Sequence, residues 1–140
     1  MLFRSVLFFV INRIVFSDRM TEHIPILGKA QKRSEYADIA ENIAMFYSCG
    51  IKPDVALEYC AKSVKRSDLK EKLLWAAAHV REGNPLSEAL SIQNAFPIEM
   101  INQIRVGEKT GDIDRMLRLI AEYYREDEKL TMEMISSLIR

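Results

Sequence analysis

Apolar residues recur at three- and four-residue intervals through most of the chain, which is the period of a helix with one buried stripe. Six helices are expected from this pattern, and no strand. The first covers about 30–48, with Tyr36, Ala40, Ile43 and Tyr47 in line and Ile39 and Phe46 beside them. Gly50 ends it, a residue suited to the left-handed position past a helix end. The second opens at Pro53 and buries Ala56, Leu57, Cys60, Ala61 and Val64. After the turn Lys65–Asp68, with Asp68 and Glu71 as a capping pair, the third carries Leu69, Leu73, Ala76, Ala77 and Val80, and Gly83 closes it. Asn84 and Pro85 are expected as N-cap and first residue of a short fourth helix with Leu86, Ala89 and Leu90. Pro97 opens the fifth, with Met100, Ile101 and Ile104 inward. The sixth starts near Asp112 and is long, its stripe running through Ile113, Leu117, Ile120 and Tyr124 to Met134 and Leu138.

The charged run Arg125–Lys129 interrupts that last stripe. A helix of ~25 residues is ~38 Å long, so its second half is expected to project beyond the shorter helices. Short connections throughout imply an all-α fold, an antiparallel six-helix bundle. "GIKPDVAL" (50–57) and "GNPLSEAL" (83–90) echo each other, but a third copy is missing at the same spacing, so they read as two similar helix corners rather than a repeat.

The first sixteen residues, "MLFRSVLFFVINRIVF", depart from this pattern. They are apolar all round between Val6 and Ile11, yet shorter than the roughly 20 residues of a spanning helix. No small-residue cleavage site follows. Arg13, Arg19, Lys29, Lys32 and Arg33 come after, the basic excess of a cytoplasmic flank. The expectation is that residues 1–20 form a membrane-proximal segment, part of a membrane helix, and residues 21–140 one helical domain, separated by the Pro/Gly break "IPILGK" (24–29). An extra amphipathic helix packed on a soluble domain is the alternative.

Charge narrows the functional classes. Twenty basic and twenty acidic residues leave a net charge of zero, against the basic excess of a nucleic-acid binder. Cys49 and Cys60 lack metal or redox spacing and read as reduced thiols in a helical core. His79 has no HxxxH or HExxH partner, and "GEKTGD" lacks both the spacing of a phosphate loop and a preceding strand. No catalytic, cofactor or metal residues are expected, and no enzyme.

The segment "IRVGEKTGDID" (104–114) places Gly107 and Gly111 around Glu108, although glycine inside a helix costs about 1 kcal/mol relative to alanine. Gly107 would permit close approach of the last helix, and Gly111 a left-handed helix end. Glu108 would accept N–H bonds at the start of the last helix and lock the corner. Spacing alone equally allows an exposed carboxylate in a loop. The exposed charges Lys62, Lys65 and Arg66, and Glu126, Asp127 and Glu128, are the candidate partner contacts, for self-association or for a partner on each.

These elements together resemble the inner-membrane platform proteins of bacterial type II secretion systems and type IV pili. The resemblance rests on Pro25-Ile-Leu-Gly28, Ser48-Cys49-Gly50-Ile51, Ala56-Leu57, Gly83-Asn-Pro-Leu-Ser-Glu-Ala89-Leu90, Phe96-Pro97, and Gly107-Glu108-Lys-Thr-Gly111-Asp-Ile113-Asp114-Arg-Met-Leu117, in that order. Thr110 and Ile113 replace the family's usual serine and leucine. The resemblance implies two six-helix cytoplasmic domains and three membrane helices in a full-length protein, with this chain as one domain, and no catalytic site. It also implies a non-catalytic scaffold at the bacterial inner membrane, on the cytoplasmic face. Its partners would be a cytoplasmic assembly ATPase, other inner-membrane assembly proteins, pilins, the membrane and, as an open alternative, a second copy of itself. A soluble helical adaptor unrelated to secretion is the competing function.

Overall fold

The computed structural model describes residues 4–8 and 24–139, and every described element is helical. Residues 4–8 form a short helical segment. Six helices follow: α1 (Ile24–Ser48), α2 (Pro53–Ser63), α3 (Ser67–Arg81), α4 (Leu86–Ile92), α5 (Ile98–Thr110) and α6 (Ile113–Ile139). Most of the expected segment 1–20 lies outside the described residues. Among the described ones, no helix is long and apolar enough to cross a membrane.

The core is built from the expected stripes. Ile39, Ile43, Leu57, Leu73, Ile104, Leu117 and Ile120 are all fully buried. Each such side chain contributes about 1.5–3 kcal/mol relative to an exposed position. Small residues let the helices close: Ala37, Ala40, Ala56, Ala61 and Ala89 are equally buried. Tyr36 bridges two elements, with its ring 5.5 Å from Tyr124 of α6 and 5.6 Å from Phe96 ahead of α5.

The most extensive packing joins α1 to α6, the two longest helices. Arg33 of α1 reaches Asp127 and Thr131 of α6, whereas Asp38 and Glu41 reach Arg125. The two helices therefore run past each other in opposite order. The start of α1 and the end of α6 share one end of the molecule.

Four local expectations are corrected. The helix expected from about Ala30 begins at Ile24, so "IPILGK" is helix rather than a break. Proline is tolerated there because the first N–H groups of a helix have no partner inside it. Asp68 and Glu71 do not cap α3, which starts at Ser67 with no side-chain cap bond. Asp68 instead lies in the first turn, where it favours the helix dipole. Asn84 does not cap α4. Its side-chain amide donates to the carbonyl of His79 at 2.9 Å, satisfying an acceptor that the end of α3 would otherwise leave open. Pro85 and Pro97 each stand one position earlier than expected, as the residue preceding α4 and α5 respectively.

Candidate functional site

The corner between α5 and α6 is where the sequence concentrates its unusual residues. Gly107 is buried inside α5. A methyl group at its Cα would meet the backbone of Ile113 at 3.0 Å and the side chain of Met116 at 3.1 Å. The absent side chain is thus what lets the two helices touch. Gly111 follows α5 with φ of +75°, the left-handed region that side chains resist. Its N–H and that of Asp112 both donate to the Gly107 carbonyl, the latter at 2.9 Å. These bonds close the last turn of α5 before the chain reverses.

Glu108 does not serve the start of α6. Its carboxylate faces away, towards α4, and accepts the Ser87 N–H at 3.0 Å and the Ser87 hydroxyl at 2.5 Å. Ser87 is buried, the single polar side chain so buried among the described residues, and it lies at the second position of α4, where the backbone N–H has no partner inside the helix. One carboxylate therefore satisfies a backbone donor and a hydroxyl that would each cost about 1–3 kcal/mol if left unpaired. The physical reason for the correction is demand. Asp112 and Asp114 already supply negative charge at the first turn of α6, pairing with Arg115 at 3.4 Å and Arg118 at 2.5 Å, whereas α4 has no side-chain cap at its start.

Of the remaining expected positions, Gly50 and Gly83 lie just past α1 and α3 with positive φ. The charged groups proposed as partner contacts are more engaged than the sequence suggested. Lys62, Lys65 and Glu126 are exposed. Arg66 pairs with Glu35 of α1 at 2.9 Å, Asp127 with Arg33 at 2.6 Å, and Glu128 with Arg125 at 3.6 Å and Arg4 at 3.8 Å. Burial holds the Glu35 carboxyl above its ordinary value, with the Arg66 guanidinium opposing. Charge reversal at Arg66 would set two carboxylates together, so that residue serves the fold.

Sequence reasoning missed Ser87 and the two charge clusters on α1. The Ser87 signal was present, a serine in the first turn after Asn-Pro, but its partner lies 21 residues away. It also missed Arg81, which closes α3 onto Asp54 and Glu58 of α2. No group of three metal-ligating side chains exists among the described residues. His79 stacks on Trp75 with ring centres 4.8 Å apart.

Comparison with known proteins decides the family. The model of the type II secretion system (T2SS) protein F family, T2SSF, matches residues 39–140. This chain belongs to that family. The match takes in the whole α5–α6 corner, Ser87 and all of α6. A type IV pilus assembly protein PilC of Myxococcus xanthus is 23% identical over 124 residues, 89% of this chain and 30% of that protein. A type II secretion system protein F of Pseudomonas aeruginosa is 28% identical over 104 residues, 74% of this chain and 26% of that protein. A PilC of Thermus thermophilus is 26% identical over 111 residues, 79% of this chain and 27% of that protein. The chain spans less than a third of the length of these T2SSF relatives.

Proposed function

We propose that this T2SSF chain is a helical platform domain of a type II secretion or type IV pilus assembly machine, held at the cytoplasmic face of the bacterial inner membrane. Residues 1–20 are its membrane-proximal segment and residues 21–140 an antiparallel six-helix unit. Its role is non-catalytic: it transmits motion from a cytoplasmic assembly ATPase to pilin subunits. The family match over residues 39–140 carries this reading. The architecture supports it in two ways. The functional groups of the α5–α6 corner are spent on fixing one helix against another. The corner sets the direction of α6, at 27 residues the longest described element, as a lever would require. The competing function, a soluble adaptor outside secretion, loses its footing with family membership.

The test is co-purification of the full chain with the assembly ATPase of the same organism, paired with membrane fractionation with and without residues 1–20. Platform function requires ATPase capture and a membrane fraction that depends on residues 1–20. A chain that fractionates identically in both forms and captures no ATPase would sink the proposal.

A further inference from the structure

A cleft of about 570 Å³ opens beside α6, a volume within the range of small-ligand pockets. Helix α6 forms its floor, because it packs on both α1 and α5. The α1 wall carries Lys29, Lys32 and Arg33, and the α5 wall carries Glu99 and, one turn on, Gln103. Arg33 is taken by Asp127 of the floor at 2.6 Å. Glu35, whose carboxylate feels Lys32, is taken by Arg66. Lys29, Lys32 and Glu99 are exposed and form no ion pair among the described residues. The cleft therefore holds two free cations on one wall and one free carboxylate on the other.

Tyr124 marks this space as a site and not a gap between helices. Its side chain is only 7% exposed, yet it lines the cleft, and its hydroxyl makes no hydrogen bond among the described residues. A polar group so buried is normally paired. Burial first, then Tyr123, Glu99 and Tyr36, with Arg33 opposing, push that hydroxyl up to about 12, so it stays a donor at neutral pH. At the rim, Tyr123 is 63% exposed and continues into a row of exposed apolar side chains on α6, Leu119, Leu130 and Met134. At about 100° per residue these four fall within an arc of about 60°, with Asp127 of the cleft next to it. A charged cleft that opens onto an apolar row suits an amphiphile. The far edge of the row carries Glu122, Glu126 and Glu133 against Arg115 and Lys129, and Arg115 is held by Asp112. An anionic amphiphile gains nothing from that edge.

We propose that the cleft binds the phosphoethanolamine headgroup of a membrane lipid, with the apolar row beside Tyr123 covering the first part of its chains. Lys29 and Lys32 pair with the phosphodiester, and the Tyr124 hydroxyl donates to one of its free oxygens. Glu99 accepts from the primary ammonium, and the Tyr123 ring offers its face to the same cation. The charges select the headgroup. An anionic headgroup sets its phosphate between the lysines but leaves Glu99 without a cation. A choline headgroup supplies the cation but no N–H for Glu99 to accept. Free phosphoethanolamine has the same charged groups, and the apolar row is what makes the lipid the occupant. The presence of a membrane beside α1, the helix that follows residues 1–20, rests on the platform reading. The charge match of the cleft stands without it.

Flotation of the full chain with limiting phosphatidylcholine vesicles is the experiment, the vesicles carrying the same fraction of either phosphatidylethanolamine or phosphatidylglycerol. Residues 1–20 are present in every sample, so the difference between the two lipids reads the headgroup. Phosphatidylethanolamine is expected to be preferred about fivefold, and Glu99→Gln to erase the preference. Lys29→Ala with Lys32→Ala should weaken binding to phosphatidylethanolamine vesicles about fivefold or more. Tyr124→Phe, which keeps the ring and removes the hydroxyl, should weaken it about threefold. Circular dichroism on each variant separates loss of binding from loss of fold. Equal binding of the two lipids, a preference for phosphatidylglycerol, or a preference that survives Glu99→Gln overturns the headgroup assignment. Soluble O-phosphoethanolamine is the competitor that separates the sources, and it is expected to displace vesicles only in large excess. Displacement at equal concentration makes the free phosphate ester the ligand and overturns the lipid. Absence of any headgroup preference in a chain that still captures the ATPase overturns the cleft and leaves the platform assignment standing. The reverse pair of results supports the cleft and overturns the platform.

Discussion

The two halves of α6 share one helix and almost nothing else. From Ile113 to Tyr124 the helix buries Leu117, Ile120, Ala121 and Tyr124 against the core and is met at its start by Gly107. From Arg125 to Ile139 it buries no residue fully, and α1 holds it through Arg33, Asp38 and Glu41. Apolar burial is non-directional and cooperative, whereas partly exposed ion pairs are each worth about 0–1 kcal/mol. The first half is therefore fixed with the fold, and the second is expected to be the less firmly held of the two.

Matched truncations give the largest test of that contrast. Leu117→Ala should cost about 2–5 kcal/mol in urea unfolding, as for other fully buried leucines. Met134→Ala on the exposed half should stay within about 0.5 kcal/mol of the parent. Equal costs would mean that the second half is packed as firmly as the first. At the corner, Gly107→Ala must displace Ile113 or Met116, and Gly111→Val must take a positive φ. Each is expected to lower stability by about 1–3 kcal/mol, read from the denaturation midpoint. Glu108→Ala strands the Ser87 hydroxyl and N–H and should cost about 1–3 kcal/mol, with Glu108→Gln costing less. Hydrogen exchange at the Ser87 amide would report the loss directly.

Smaller effects belong to the ion pairs. Arg125→Ala should shift the global midpoint by about 1 kcal/mol or less, yet speed amide exchange beyond residue 125 while leaving residues 113–124 protected. Uniform exchange along α6 would erase the distinction between its halves. The smallest effect is a pH slope. Burial raises the Glu35 carboxyl, so the folded chain holds that proton more readily than the unfolded one. Stability then falls as pH rises from the ordinary glutamate value through the raised folded value. Glu35→Gln should flatten that part of the stability–pH curve, whereas a steeper curve would reverse the assignment.

What the sequence made legible was whatever is encoded by near neighbours. The stripes gave the buried face of each helix as far as Tyr124 of α6, beyond which Met134 and Leu138, expected on the same stripe, are exposed, and Gly50, Gly83 and Gly111 marked where three of the helices end, because period and punctuation are local properties. The start of α1 was misplaced because proline and glycine read as a break in isolation. Proline in the first turn of a helix costs little, and a single glycine after it does not stop a helix that lies along α6. Glu108 was recognised as a corner residue, but its partner was not, since the bond to Ser87 crosses two elements and Ser87 looks like any first-turn serine. The engagement of Arg66 and Asp127 was hidden for the same reason: a charge run in sequence does not say which of its members face another helix.

The opposite running order of α1 and α6 has a mechanical consequence. Their outer ends are neighbours, so a force that draws those ends apart loads the pair like a zipper and not in shear. The Arg33–Asp127 contact is strained first, and only after it opens does load reach Arg125 with Asp38 and Glu41. Contacts broken in series yield at low force, one after another, and the globular part beyond Tyr124 feels little of it. A pull along both helices together meets the full length of the interface at once. The domain is compliant to splitting at that end and stiff to traction along its axis.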